Sequence, residues 1–262
     1  GIIKDKFGYN LFSEQPVGAN LWATTTEQTD ANHPEFAPYS KSITVIDVRQ
    51  GRLQRIIAMI LSNLAEKEDL KRYIHLGYEV VFLSGKTAEE IGVTSERKEI
   101  VSMSGRKGIY VNADDVLDKL HKRAFEETKK RNPDETDDWL HETAEKIMVA
   151  AVRFDLLKQD LEKTIVFDLN HALALEGETG PYLQYTYARA TRIIEKSGIT
   201  SSIKSEYAKK LTDSSEIALI KEISKFDLIV EDAANNLAPK IVARYLFHLV
   251  SLFNAFYEKI PV

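Results

Sequence analysis

Apolar positions follow two different periods along this chain, and the change falls near residue 112. In the first part, Ile43-Thr44-Val45-Ile46-Asp47-Val48 is a near-continuous β-branched run, the pattern of a strand covered on both faces. Leu53, Ile56, Ile57, Ile60, Leu61 and Leu64 then recur at helical spacing. Glu79-Val80-Val81-Phe82-Leu83 makes a second strand after a loop at Leu76-Gly77. This strand–helix–strand order predicts a right-handed parallel crossover. Residues 1–40 hold only short apolar clusters broken by Gly, Pro and polar residues, an irregular region with one or two short strands. Residues 84–98 read as a turn and a short helix, and Ile109-Tyr110-Val111 as strand-like.

Helical spacing governs the rest. Asn112 caps a helix with Asp114 and Asp115 in its first turn and Val116, Leu117 and Leu120 on its apolar side. Residues 121–138 carry charges of both signs, a solvated helical face that Asn132-Pro133 interrupts. From Trp139, Ala144, Ile147, Met148, Ala151 and Val152 recur every three or four positions, whereas Val152–Lys158 fits helix or extended chain. Ile165–Asn170 is ambiguous, with Asp168 or Asn170 able to cap a short helix. Further helices are predicted near 181–197, 214–236 and 238–258, so the second half is a helical bundle.

Composition narrows the class. With 262 residues, 44% apolar and 29% charged, the chain can bury a large core and fits a globular protein of up to two domains. No apolar run reaches the length of a membrane span, and no secretory leader opens the chain. Cysteine is absent, which excludes disulfides and thiolate metal sites and fits a reducing cytoplasm. A net charge of −5 means that nucleic acid would have to be held by a local basic face. The ends, Gly1-Ile2-Ile3-Lys4 and Lys259-Ile260-Pro261-Val262, read as those of a piece of something longer.

Four places carry candidate chemistry. Val101-Ser102-Met103-Ser104-Gly105-Arg106-Lys107-Gly108 lets backbone N–H groups approach an anion while Arg106 and Lys107 neutralise it; a solvated basic turn has the same composition. Arg49 and Gln50 follow a strand, where ligands of open α/β sheets bind, although Gln50 equally fits a helix cap. His75, flanked by Tyr73 and Tyr78, reads by default as a half-buried histidine satisfied by backbone. In the helical half, Thr179 or Gly180 can cap a helix with Pro181 in its first turn. Leu183, Tyr187, Ala190 and Ile194 share one face as a core stripe, and Tyr182, Tyr185, Arg189 and Arg192 share another. Rings beside guanidinium groups suit stacked RNA bases and phosphates; packing against neighbouring helices is the alternative.

Together these stretches resemble arginyl-tRNA synthetases, the archaeal type above all. The match is carried by Lys4-Asp5-Lys6-Phe7-Gly8-Tyr9, Val45–Gln50, Met103–Val111 and Glu176-Gly177-Glu178-Thr179-Gly180-Pro181-Tyr182-Leu183-Gln184-Tyr185. The resemblance implies an α/β part followed by an all-α part: the second half of a Rossmann-type class I catalytic domain over 1–100, a signature loop and connecting helices over 101–160, and a helical anticodon-binding domain over 161–262. It implies that Met103, Ser104, Gly105, Arg106 and Lys107 bind ATP, with Ser104, Arg106 and Lys107 catalytic and His75 also on ATP. Ser102 and Gly105 stand where many class I enzymes carry the two signature lysines, so the charge falls to Arg106, Lys107 or a residue elsewhere. It further implies that Gln50 contacts L-arginine and that Tyr182, Tyr185 and Arg189 handle the anticodon loop of tRNA(Arg). ATP with Mg2+ would be the nucleotide substrate; no protein-held metal, DNA or membrane partner is implied, and the expectation is a cytoplasmic monomer.

None of the six histidines (33, 75, 121, 141, 171, 248) lies in the H-x-G-H motif of class I enzymes. The resemblance therefore implies the carboxyl-terminal portion of an arginine–tRNA ligase, unable to aminoacylate by itself. The other readings are a non-catalytic tRNA-binding module, acting through the helical half, and an unrelated nucleotide-binding protein.

Overall fold

The computed structural model describes residues 3–4, 10–11, 13–17, 20–24, 41–64, 73–93, 100–101, 111–198 and 205–260. The chain divides into one unit of residues 1–44 and 56–74 and a second of residues 45–55 and 75–262.

In the first unit, two short antiparallel pairs stand where an irregular region with one or two short strands was predicted. β1 (Ile3–Lys4) pairs with β2 (Asn10–Leu11), and β3 (Ser13–Val17) with β4 (Asn20–Thr24) in the register Gln15 opposite Trp22.

The predicted β-branched strand is β5 (Ser42–Asp47), followed by a 3-10 turn, Val48–Gln50, and α1 (Gly51–Leu64). Its cover differs from the expectation. Ile43 is 43% and Val45 60% exposed, so only the alternate face is shielded. On α1 the apolar stripe is likewise open, with Leu53, Ile56, Ile60 and Leu61 exposed.

The crossover is corrected as well. Leu76-Gly77 is not a loop but lies within β6 (Tyr73–Tyr78), which pairs with β5. The strand expected at 79–83 is β7 (Val81–Ser84), and its parallel partner is β9 (Ile165–Phe167), not β5. β8 (Ile100–Val101) closes this sheet from the other side, antiparallel. The ambiguous Ile165–Asn170 thus resolves into strand and then helix α5 (Leu169–Ala172). Asp168 ends the strand by accepting from the N–H groups of Asn170 and His171 at 2.9 Å.

α2 (Gly85–Glu90) starts in the same manner, at Ser84. The two caps are joined: Ser84 Oγ donates to Asp168 Oδ2 at 2.6 Å, and fully buried Thr87 Oγ1 accepts from the Leu169 N–H at 3.0 Å. Burial pushes the Asp168 carboxyl up, but the hydrogen bonds from Ser84, His171 and Asn170 outweigh it and leave the group below its ordinary value.

α3 (Ala113–Arg131) and α4 (Asp137–Leu157) pack beside this sheet. The core there comprises Leu83, Ala88, Leu120, Ala151, Phe167, Leu169 and Ala172. α3 confirms the solvated charged face, burying only Leu120, Ala124 and Thr128, and Val152–Leu157 is helix. Of the strand-like Ile109-Tyr110-Val111, Val111 lies in no element and the other two fall outside the described residues.

The bundle consists of α6 (Gly180–Ser197), α7 (Ser214–Ile223), α8 (Phe226–Asn235) and α9 (Pro239–Lys259). The single helix expected over 214–236 is two. Apolar periodicity runs unbroken across Ser224-Lys225, so the break leaves no mark in the pattern. At the break, the last carbonyls of α7 also accept from side chains. Ser224 Oγ donates to the Lys221 carbonyl at 2.8 Å, and the buried Tyr245 hydroxyl of α9 donates to the Glu222 carbonyl at 3.0 Å.

Ion pairs fix both ends of α9. Near its start, Lys240 and Arg244 donate to Asp160, which also pairs with Lys163, and these cations hold the Asp160 carboxyl far below its usual range. At its end, Lys259 Nζ donates to Asp213, 2.7 Å from Oδ2. Asp213 is also the cap of α7, with Glu216 completing a reciprocal capping box. The hydrogen bonds from Lys259 and Ser215 lower its carboxyl from 3.8 to about 2. A depressed carboxyl contributes stability above its unfolded value, lost as pH falls through its folded one. Helical signal should therefore drop as pH falls from 3.8 to about 2. Asp213→Asn, which has nothing to titrate, should lose less over that interval by far-UV circular dichroism; matching curves would refute the linkage.

Candidate functional site

The start of α6 is set by a loop that α4 holds in place. Lys158, only 7% exposed, pairs with buried Asp155 at 2.9 Å and donates to the Glu178 carbonyl at 2.6 Å. His171 Nδ1 stands 3.5 Å from the same Asp155 carboxylate. Thr179, 2% exposed, donates to the Ala174 carbonyl and caps α6 by accepting from the Tyr182 N–H. Pro181 occupies the first turn, as its missing N–H allows. Gly180 then lies so close to the α4 backbone at Ala150 that a β-carbon has no room.

The inward face of α6 differs from the predicted stripe. Tyr187 is 74% and Ile194 65% exposed, so neither is core. Gly180, Pro181 and Thr186 are buried, and Tyr182, Leu183, Gln184, Arg189, Ala190, Thr191 and Ile193 half-buried. Thr186, 2% exposed, donates to the Tyr182 carbonyl at 3.0 Å, and Asn254 of α9 meets it and Arg189 on this covered side.

On the edge of that face, Arg189 lies between two rings. Its guanidinium carbon stands 4.8 Å from the centroid of Tyr185 and 4.8 Å from that of Tyr257 on α9. Its Nη2 donates to the Tyr185 hydroxyl at 2.8 Å and its Nη1 to Asn254 Oδ1 at 2.9 Å. Asn254 Nδ2 in turn donates to the Tyr182 hydroxyl at 2.8 Å and to Thr186 Oγ1 at 3.1 Å. The Phe253 ring stacks beside Tyr257, and the Phe247 ring stands tilted against Tyr182. Tyr185 is 50% and Tyr257 38% exposed, so the stack presents aromatic surface to solvent.

The three residues expected to act together on this helix, Tyr182, Tyr185 and Arg189, thus share one hydrogen-bonded cluster, whereas Arg192 is exposed outside it. Tyr257, Asn254 and Thr186 complete it without having been picked out. The signal for Asn254 was an amide in the apolar run Leu252-Phe253-Asn254-Ala255-Phe256, where a poor helix former must have a partner.

At the other candidate place, Gln50 ends the 3-10 turn after β5 and is exposed. Asp47 caps that turn and grips Arg49 through its N–H at 2.7 Å and its guanidinium at 2.5 Å. The Arg49 hydrogen bonds lower the Asp47 carboxyl from 3.8 to about 2. His75 Nε2 lies 3.2 Å from the Ile46 carbonyl oxygen, which only accepts, so Nε2 is the donor of this hydrogen bond. The ring borders Gly51 and Gly77, and a β-carbon at Gly77 would meet Val48 at 2.9 Å. Backbone satisfaction of His75 is as expected, and it places the ring against the residue that follows Gln50.

Met103, Ser104, Gly105, Arg106 and Lys107 lie outside the described residues. Among the described residues no group of three His, Asp or Glu side chains is arranged to hold a metal ion, and no helix is long and apolar enough to cross a membrane.

Known proteins define the class of the helical part first: residues 183–262 match the DALR anticodon-binding domain. That stretch contains Tyr185, Arg189, Asn254 and Tyr257. Over most of its length the chain is, more specifically, similar to arginyl-tRNA synthetases. It is 37% identical to an arginine–tRNA ligase of Aeropyrum pernix over 83% of this chain and 31% of that one. With the arginine–tRNA ligase of Deinococcus radiodurans it shares 33% identity over 95% of this chain and 39% of that one. The arginyl-tRNA synthetase structure of Thermus thermophilus superposes with a TM-score of 0.70 at 29% identity, covering 97% of this chain and 39% of that one. The chain thus spans about a third of the length of the curated relatives it matches. An α/β part with a small mixed sheet that holds one parallel strand pair, followed by a helical part matching an anticodon-binding domain, is the fold class expected from the sequence.

Proposed function

We propose that the helical half holds the anticodon loop of tRNA(Arg), and that the chain is part of an arginine–tRNA ligase. Such an enzyme activates L-arginine with ATP and passes the acyl group to the 3′ end of the tRNA. The observation that carries the reading is the Tyr185–Arg189–Tyr257 stack inside the stretch matching an anticodon-binding domain. Exposed rings stack unpaired bases, and the guanidinium between them draws the phosphate backbone. Gln50 and the His75 ring belong in this reading to the arginine and ATP side. Met103, Ser104, Gly105, Arg106 and Lys107 supply the phosphate-side loop, where backbone N–H groups and two cations meet the ATP phosphates. Mg2+ would come with the nucleotide.

Binding of a labelled anticodon stem-loop tests the proposal. The tRNA(Arg) loop should bind about tenfold or more tightly than a stem-loop of the same length with a scrambled loop, and the affinity should fall with salt. Equal binding of the two RNAs would overturn it.

A further inference from the structure

A phenolic hydroxyl has one proton, and its neighbours decide where that proton points. At the cluster on α6 and α9, the neighbours leave no choice. Arg189 carries donors only, so the Asn254 atom 2.9 Å from its Nη1 must be the carbonyl oxygen. Turning the amide over would set its NH2 group against the guanidinium. Both Nδ2 protons are then committed, to Tyr182 and Thr186. Thr186 gives its own proton to the Tyr182 carbonyl, so toward Asn254 it can only accept. The Tyr182 hydroxyl accepts likewise, which leaves its proton unspent. Arg189 Nη2 does the same to the Tyr185 hydroxyl.

We infer that Asn254 and Arg189 are positioning residues that fix the hydrogen-bond polarity of this face, making Tyr182 and Tyr185 donors toward the ligand. Resting on the RNA reading above, the inference narrows what the face selects. Base carbonyls, ring nitrogens and phosphate oxygens satisfy these hydroxyls; exocyclic amino groups do not. In setting this polarity both side chains act through the tyrosines, and Asn254 does so without touching the RNA.

The test is a double-mutant cycle on the whole chain, read by stem-loop binding in about 0.3 M salt to screen added charge. Tyr182→Phe removes the unspent donor and should weaken binding about 3- to 10-fold. Asn254→Asp keeps shape and a partner for Arg189 but only accepts, so the Tyr182 proton turns inward to it and binding should fall by a similar factor. The double variant should bind within about twofold of either single one. Asn254→Asp should melt no lower than the parent, since Arg189 gains a charged partner, which separates positioning from mere structural loss. A readout without RNA is the Asn254 side-chain amide by NMR: Tyr182→Phe should shift one of its two protons and leave the other. If the parent binds RNA and Tyr182→Phe binds equally, or the two effects add, the polarity inference falls while the RNA reading stands. If the parent binds no RNA, the RNA reading falls. An amide unaltered by Tyr182→Phe then overturns the polarity as well; a one-proton shift upholds it.

Discussion

Gly180→Ala is expected to lower the stability of the helical half by about 3 kcal/mol or more, the upper end of what an overpacked core costs. The new β-carbon would lie 2.2 Å from the Ala150 carbonyl oxygen, 2.5 Å from its carbonyl carbon and 2.9 Å from the Ala151 nitrogen. All three are backbone atoms of α4, so no rotamer change relieves the clash. The helices must separate, which opens the contact beside fully buried Ala151. At 2–4 °C per kcal/mol for a chain of this size, the melting temperature should drop by about 10 °C in a circular dichroism melt. Gly198 supplies the contrast. It caps the other end of α6 at φ +61° with nothing within 4 Å, so alanine there meets backbone strain alone and should cost about 1 kcal/mol. Equal melting of the Gly180 variant and the parent would show that the two helices do not meet as described.

The second large effect falls on binding. Tyr185→Ala removes one ring of the stack, and losing a stacked base contact is worth about 1–3 kcal/mol, or roughly 5- to 150-fold in affinity for the anticodon stem-loop. Arg189→Ala should cost at least as much, because the same guanidinium spaces the two rings and anchors Asn254. Leu228→Ala, on an exposed α8 position outside the cluster, should leave affinity unchanged. Full binding by either Tyr185→Ala or Arg189→Ala removes the stack from the interface.

How much of this was legible in the sequence depended on whether the cause was local. Caps were: Asn112, Thr179 and Asp168 each announce a helix through a side chain that accepts from nearby N–H groups. The grouping of Tyr182, Tyr185 and Arg189 followed from 100° per residue alone. Strand partnership was not legible, because β7 and β9 are more than 80 positions apart and nothing in either run names the other. The inward direction of α6 was missed for a related reason. Tyr187 and Ile194 outrank Thr186 and Arg189 in hydrophobicity, yet a hydroxyl bonded to its own helix and a guanidinium clamped by α9 take the covered side. The division of α7 from α8 was likewise missed, and at it the Glu222 carbonyl takes a bond from the Tyr245 hydroxyl on another helix.

One helix, α9, carries nearly every tie of the bundle. In its 21 residues, about 31 Å of length, it holds Asp160 through Lys240 and Arg244, the end of α7 through Tyr245, the aromatic stack through Asn254 and Tyr257, and the α7 cap through Lys259. No part of the stack can keep its geometry while α9 frays, and no end of α9 can loosen without releasing a neighbour. The Tyr185–Arg189–Tyr257 cluster should therefore have no stability separate from that of the bundle that α9 ties together.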